Sequence, residues 1–418
     1  MIRSPIVLHD ELIAEILSIL PVKSLLQFKC VCKSWKTLIS DSAFIKLHLK
    51  RSATQIPMFA IILDRLKITP GESPDGNDDE YEENFSVFPY PTRSLLDNSS
   101  ITLFDDPYYD VENKECSNVF ASCNGLFLLA SVIFTGPHKK YSFQLWNPAT
   151  KTISKKFGYF CAIQYQSFTF GLGFDDSTDT YKVVVASRYI GNQLKSNVRV
   201  LSFGDDVWRS IESFPVVPLP FELNNYNIHD GVYVSGAVNW LAIRNNIDYH
   251  SWINMKLTVN KTIKVEHFVI VSLDLRTETY NQYLLPLDFD EVPSAQPIIS
   301  VLGGCLCFSY SYKETDIVIW QMKKFGVEDS WTQFLKVSYQ NLQIDYDLSG
   351  YMKYHFQLIP LLLFEDCDTL MLRSSQNFEA ILYNWRDNRV KQIKVTTTTK
   401  DFEFWDPVNY VESLVRIN

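Results

Sequence analysis

Between residues 8 and 49 the apolar positions recur at helical steps. Leu12, Ile13, Ile16, Leu17 and Leu20 are spaced by one, three and four positions, so they line one face of a helix. Asp10 and Glu11 fall in its first turn, where acidic groups favour the helix dipole. Pro21 lacks an N–H and stops that helix. A second short helix is predicted around Leu25, Leu26 and Phe28, and a third around Val31, Trp35, Leu38 and Ile39. Asp41 or Ser42 caps a last turn holding Phe44, Ile45, Leu47 and Leu49. About 40 residues cannot bury that many large side chains within themselves. Part of the stripe must face the rest of the chain or a separate protein, and periodicity alone leaves both open.

After residue 51 the pattern changes to short β-like runs between turn signals. Residues 70–84 are acidic and carry no Lys or Arg, the mark of a solvated loop. A two-part unit then recurs. One part is a Gly-bearing turn feeding an apolar strand, as in Asn124-Gly125, Ser235-Gly236 and Gly303-Gly304. The other is a strand, a polar turn and an apolar return, centred near residues 145, 200, 273, 319 and 382. Kelch-type propeller blades have four strands in about 50 residues, so six or seven blades fit, with an insertion near residues 245–266. A propeller-like ring manages the edges of many short strands; an open array of sandwiched sheets is the structural alternative. The alternating run from Tyr410 to Arg416 is predicted as a closing strand beside Met58 to Leu63.

Aromatic residues make up 14% of the 418, which suits a β-rich body, and charged residues 21%. Residues 1–51 carry eight Lys or Arg against four Asp or Glu, a net of +4, so with -9 overall the remainder carries -13. That balance argues against nucleic acid as a partner. No apolar run approaches the ~20 residues of a membrane helix, and Met1 to Ile6 do not read as a signal peptide. The Cys-x-x-Cys spacing is missing among the eight cysteines, which are expected as reduced thiols in the cytoplasm or nucleus. Asp105/Asp106, Asp175/Asp176 and Asp205/Asp206 are adjacent, but neighbours on a strand point to opposite faces, and Asp in turns accepts local backbone bonds. The seven histidines are scattered. No catalytic residue, metal ligand or cofactor site is expected.

The N-terminal residues resemble an F-box. The resemblance is carried by Leu8 and Asp10-Glu11-Leu12, by Ile16-Leu17, by Leu20-Pro21-Val22-Lys23-Ser24-Leu25-Leu26, and by Phe28 to Trp35 with Leu38-Ile39. His9 stands where the family usually has Pro, which costs some helix initiation. The remainder resembles the kelch-related F-box-associated interaction domain of plant F-box proteins, through Trp146 to Lys151, Gly173 to Val184, Trp320 to Trp331 and Tyr410 to Val415. S-locus F-box proteins share this architecture, as do many unrelated plant members. The expected fold is therefore a small all-α, three-helix F-box at residues 4–50, followed by an all-β, propeller-like domain at residues 51–418.

The resemblance implies the substrate-recognition subunit of an SCF-type ubiquitin ligase, itself without chemistry. The F-box would dock on a Skp-type adaptor, and through it on a cullin and a RING protein. The β domain would hold an unidentified protein target, with neither nucleic acid nor membrane involved. The alternative is a binding protein outside the ligase that sequesters the adaptor. The adaptor-docking side chains are expected to be Leu8, Leu12, Ile16, Leu20, Pro21, Leu25 and Leu26, with Val31 and Trp35 internal or at the domain junction. Trp146, Trp208, Trp240, Trp320, Trp331 and Trp385 are expected as core between blades. Target-facing loops are sought near residues 70–84, 105–115, 188–197 and 244–260.

Overall fold

The computed structural model describes residues 9–55, 58–69, 80–91, 93–97, 100–103, 118–135, 138–163, 166–189, 196–205, 207–219, 231–244, 264–344, 356–375, 380–397 and 404–417. Four helices come first: α1 (Asp10–Leu17), α2 (Val22–Phe28), α3 (Lys33–Ser40) and α4 (Ser42–Gln55). Instead of three helices and a last turn, the chain forms a full fourth helix that continues past residue 50. Asp41 opens it, its Oδ1 accepting the N–H groups of Ala43 at 2.9 Å and Phe44 at 3.3 Å. α1 ends at Leu17, short of Pro21, which instead forms the N-cap of α2. His9 adopts φ -62°, the value a proline ring would impose, and its carbonyl accepts the Ile13 N–H.

Six sheets follow among the described residues. The first runs Asn118–Cys123, Leu126–Thr135 and His138–Asn147, with Thr152–Ile153 and Phe157–Ile163 both pairing the last of these. The second is Gln166–Asp175, Thr180–Tyr189, Asn197–Ser202 and Arg209–Ile211. The third is built on Ala237–Ile243, flanked by Val217–Pro218 and Val232–Val234, and continues through Phe268–Asp274 and Thr279–Leu284. Ile298–Leu302, Cys305–Tyr312, Asp316–Met322 and Trp331–Ser338 form the fourth. The fifth is Leu358–Phe364, Thr369–Ser374, Ala380–Asn384 and Arg389–Thr397, with Ser100–Leu103 added in parallel. The sixth joins both ends of the β region: Glu80–Pro91, Met58–Thr69 and Phe404–Tyr410.

Met58 pairs with Tyr410 and Leu63 with Trp405, so the expected partner of the last strand is found. The strand itself is displaced towards the N-terminus. It ends at Tyr410, and residues 411–417 follow a separate, unladdered course. One strand from each sheet neighbours one from the next, in the order Asn118–Cys123, Gln166–Asp175, Val232–Val234, Ile298–Leu302, Leu358–Phe364 and Phe404–Tyr410, and the last of these strands lies beside the first. The arrangement is propeller-like.

Recurrent turns explain the repeat seen in the sequence. Asn147, Asp175, Asp274 and Asn384 each place a side-chain oxygen on backbone N–H groups two or three residues ahead. Four residues after each, Lys151, Asp179, Glu278 and Asn388 take left-handed φ values between 53° and 57°. Thr150–Thr152, Thr178–Thr180 and Thr277–Thr279 hydroxyl pairs lock three of these turns.

The core lies between sheets. Strand Thr180–Tyr189 turns Val183 and Val185 towards the first sheet, and Val184 and Ala186 towards the third, following the two-residue alternation of a strand buried on both faces. Four of the six tryptophans expected between blades join neighbouring sheets. Trp240 Nε1 donates to Thr169 Oγ1 at 3.1 Å, and Trp331 Nε1 donates to the Leu284 carbonyl at 3.0 Å. Trp208 meets Phe143 edge-on, and Trp385 meets Phe334 in the same way.

Of the loops expected to face a target, residues 70–79 and 105–115 lie outside the described residues, as do 190–195 and 245–260; the proposed insertion at 245–266 does so for most of its length. Glu80 to Asn84, read as part of an acidic loop, lie in a strand.

Candidate partner-docking site

The helical module has its own small core. Leu17, Val22, Leu25, Ile39 and Phe44 are buried together, and Leu414 joins them from the far end of the chain. Ile13, Leu20, Leu26, Phe28, Trp35 and Leu38 pack around that centre. His48 of α4 is wholly buried, and its Nε2–H donates to the Leu20 carbonyl at 2.9 Å, tying α4 to the turn after α1. Burial pushes the His48 imidazole below its ordinary value, against the opposing effect of that hydrogen bond. Arg51 pairs with Glu15 and also donates to the Glu15 carbonyl at 3.1 Å, fixing α4 against α1.

What this core leaves out is a strip along α1 and the turn after it. Leu12 is 51% exposed, Ile16 53% and Ile19 44%. Steps of four and three put them on one side of the helix. Pro21 is exposed beside them, and Leu20 and Leu26 are half-buried. Covering the exposed half of Leu12, Ile16 or Ile19 would contribute about 1 kcal/mol each.

The expected docking set is thus rearranged. Leu12, Ile16 and Pro21 are accessible, Leu20 and Leu26 partly so, and Leu8 lies outside the described residues. Leu25 is corrected: with no exposed surface, it is a core residue. Val31, expected inside or at the domain junction, is 64% exposed, whereas Trp35 is half-buried against Phe28. Ile19 was missed because it follows the helix end, yet its spacing from Leu12 and Ile16 carried the signal.

The module is fastened to the β body by the C-terminal segment. Glu412 Oε2 accepts the Val22 N–H at 2.9 Å, capping α2 where Pro21 has no side-chain acceptor. Leu414 enters the helical core, and Arg416 reaches the Ser40 carbonyl. The intervening residues face the sheets: Asn147 Nδ2 donates to the Ser413 and Val415 carbonyls at 2.9 Å, while Val415 and Ile417 pack on the core between the first two sheets. Gly125, at φ +79°, lets this segment pass, because a Cβ there would lie 2.3 Å from the Val411 carbonyl oxygen. Lys46 adds an exposed ion pair to Asp179 at 2.7 Å.

Asp175 is structural. Lys182 Nζ lies 2.9 Å from Asp175 Oδ2 and 3.0 Å from Glu278 Oε1, and donates to the Leu275 carbonyl at 2.6 Å. Arg209 completes the group with a two-pronged contact to Glu278. Burial pushes the Asp175 carboxyl up, but bonds from Ser177 and Lys182 outweigh it and hold it well below the usual range. Burial likewise opposes, and Arg209 and Lys182 overcome, the shift at Glu278, whose carboxyl is lowered. Glu278 therefore clamps the third sheet to the second through Lys182 and Arg209, with Asp175 holding Lys182 in place. Among the described residues no group of three His, Cys, Asp or Glu stands ready to hold a metal ion, and no helix is long and apolar enough to cross a membrane.

Residues 7–47 match the F-box domain, and residues 83–417 match the F-box associated beta propeller domain. An F-box/kelch-repeat protein of Arabidopsis thaliana is 28% identical over 80% of this chain and 80% of its own length. The Arabidopsis thaliana F-box protein CPR1 is 24% identical over 78% of this chain and 72% of its own. Among solved structures, the beta-propeller domain of the Trilobed protease from Pyrococcus furiosus aligns with 84% of this chain and 98% of its own, at 10% identity and a TM-score of 0.37. That last likeness is too distant to bear on function. With the family domain covering most of its length behind a helical F-box, the chain belongs to the F-box associated beta propeller family.

Proposed function

We propose that this protein is the target-binding subunit of an SCF-type ubiquitin ligase. In this reading Leu12, Ile16 and Ile19, with Pro21 and the half-buried Leu20 and Leu26, dock on a Skp-type adaptor that leads to a cullin and a RING protein. The observation that carries it is the apolar strip that remains on α1 after the helical core and the C-terminal segment have packed. The β body, which we infer to be a closed ring of six blades, holds the target. No bond is made or broken by this chain; it raises the local concentration of a target lysine at the conjugating enzyme. The clasp formed by Glu412, Leu414 and Arg416 supports the role, since presentation requires the two surfaces to keep a fixed spacing.

Co-expression with adaptor and cullin tests the reading. A stable three-component complex is expected, and proximity labelling should enrich a target only when the proteasome is blocked. Adaptor bound without cullin would instead indicate sequestration.

A further inference from the structure

The first sheet differs in charge from the rest of the protein. Between Asn118 and Phe174 the chain carries five lysines and no Asp or Glu, although its overall net charge is -9. The last strand of that sheet, Phe157–Ile163, is an edge. It pairs with His138–Asn147 on one side, and among the described residues no strand pairs its other side. The Ile163 N–H is met by Gln166 Oε1 at 3.1 Å rather than by the neighbouring strand. By the alternation of an antiparallel ladder, the amide of Cys161 falls on the same outer edge, while the regular ladder is interrupted by a bulge between Phe160 and Phe157.

The side chains of this edge are unusual too. Tyr159, Cys161 and Ile163 are exposed, while Phe160 and Ala162 turn inwards to the core between the first two sheets. Register places Lys140 opposite Cys161 and Ile133 opposite Lys140, so all five side chains share one face. Ile133 is 51% exposed, Tyr159 54% and Ile163 40%, and Lys140 Nζ sits 5.5 Å from the centre of the Tyr159 ring. Exposed Lys155 lies in the turn leading into the strand. Lysine and a bulge are the usual guards of an unpaired edge, and Lys140 and the irregularity after Tyr141 stand here, yet Ile133, Tyr159 and Ile163 remain exposed beside them, an apolar patch that calls for a partner.

We propose that this edge binds an extended acidic segment of the target protein, added as a further strand beside Phe157–Ile163. Its apolar side chains rest on Ile133, Tyr159 and Ile163, and its carboxylates meet Lys140 and Lys155. Strand addition gives affinity through backbone bonds and specificity through alternate side chains. Charge complementarity selects an acidic occupant, and the open backbone edge around Cys161 selects a peptide over a polyphosphate or a lipid surface, which offers no strand to pair with it. The inference rests on the reading of the β body as the target-holding part and names the chemistry of what it holds.

The test uses the full-length chain in complex with its adaptor. A fluorescent peptide alternating Glu with Val and Phe is titrated by polarisation, beside the same peptide with Lys for Glu, a single-stranded oligonucleotide and phosphatidylserine vesicles. The acidic peptide should bind, and more weakly as salt rises. The combined Lys140→Glu and Lys155→Glu variant should weaken it by about tenfold or more, and Ile163→Asp should do likewise, with adaptor affinity unchanged in both. Equal binding of the Lys peptide, preference for the oligonucleotide or vesicles, or a charge-reversed variant within about twofold of wild type would overturn the proposal. Wild-type protein that binds the peptide but not the adaptor would contradict the ligase reading and leave the edge site standing.

Discussion

The Glu412 carboxylate accepts the Val22 N–H at 2.9 Å across 390 positions of sequence, so the last residues of the chain complete a helix near its beginning. Removing the acceptor with Glu412→Ala should cost about 1 kcal/mol, the usual loss for a helix cap. Burial raises the Glu412 carboxyl above its ordinary value, although the Val22 bond pulls the other way. The folded state therefore holds that proton more tightly than the unfolded chain. Its contribution is greatest below about pH 4.3 and is lost as pH rises through the folded value. Glu412→Gln keeps an acceptor without the charge, so denaturant midpoints from pH 4 to 7 should show a flatter profile for this variant than for wild type.

Leu414 is buried among helical residues while Val415 and Ile417 pack on the sheets. Leu414→Ala should cost about 2–4 kcal/mol, felt first as loosening of the F-box. Gly125→Ala should act at the same place from the other side, since its Cβ would meet the Val411 carbonyl. Limited proteolysis should show earlier cleavage between the helical module and the sheets in both variants, with the sheet body still resistant.

His48 is buried as the neutral imidazole on the Leu20 carbonyl. Its folded value is depressed, so the unfolded chain takes the proton first as pH falls. The stabilisation is complete above about pH 6.5 and diminishes below it. His48→Gln should flatten the dependence of F-box unfolding between pH 5 and 7, measured by hydrogen exchange in α4.

Lys182→Met leaves Asp175 and part of Glu278 without their buried cation and should destabilise the sheet body by about 3 kcal/mol. Asp175 and Glu278 are both held below the ordinary carboxylate range. Their stabilisation is present above about pH 4 and is lost as pH falls further. Acid unfolding of wild type should therefore be steeper than that of the variant.

The change from helical to two-residue periodicity, the Asp41 cap and the recurring turns after Asn147, Asp274 and Asn384 were legible because each is decided by neighbours in sequence. Leu25 and Val31 were misplaced for the opposite reason. Periodicity marks which side of a helix is apolar, but what covers Leu25 includes Leu414, which arrives from the other end of the chain. The final strand was located by its partner yet set too late, since Leu414, Val415 and Ile417 alternate between two cores without any ladder. Asp175 read correctly as a turn residue, but its ion pair to Lys182 depends on the third sheet's Glu278 and Leu275 and left no local trace.

The most direct measurement is calorimetric titration of a Skp-type adaptor into wild-type protein and into Ile16→Arg, an exposed-site change that spares the helical core. Wild type should bind with the heat of a stable complex, and Ile16→Arg should lose about a hundredfold or more in affinity while its circular dichroism and melting remain those of wild type. An Ile16→Arg protein that binds adaptor as tightly as wild type would contradict the assignment of the α1 strip as the docking surface.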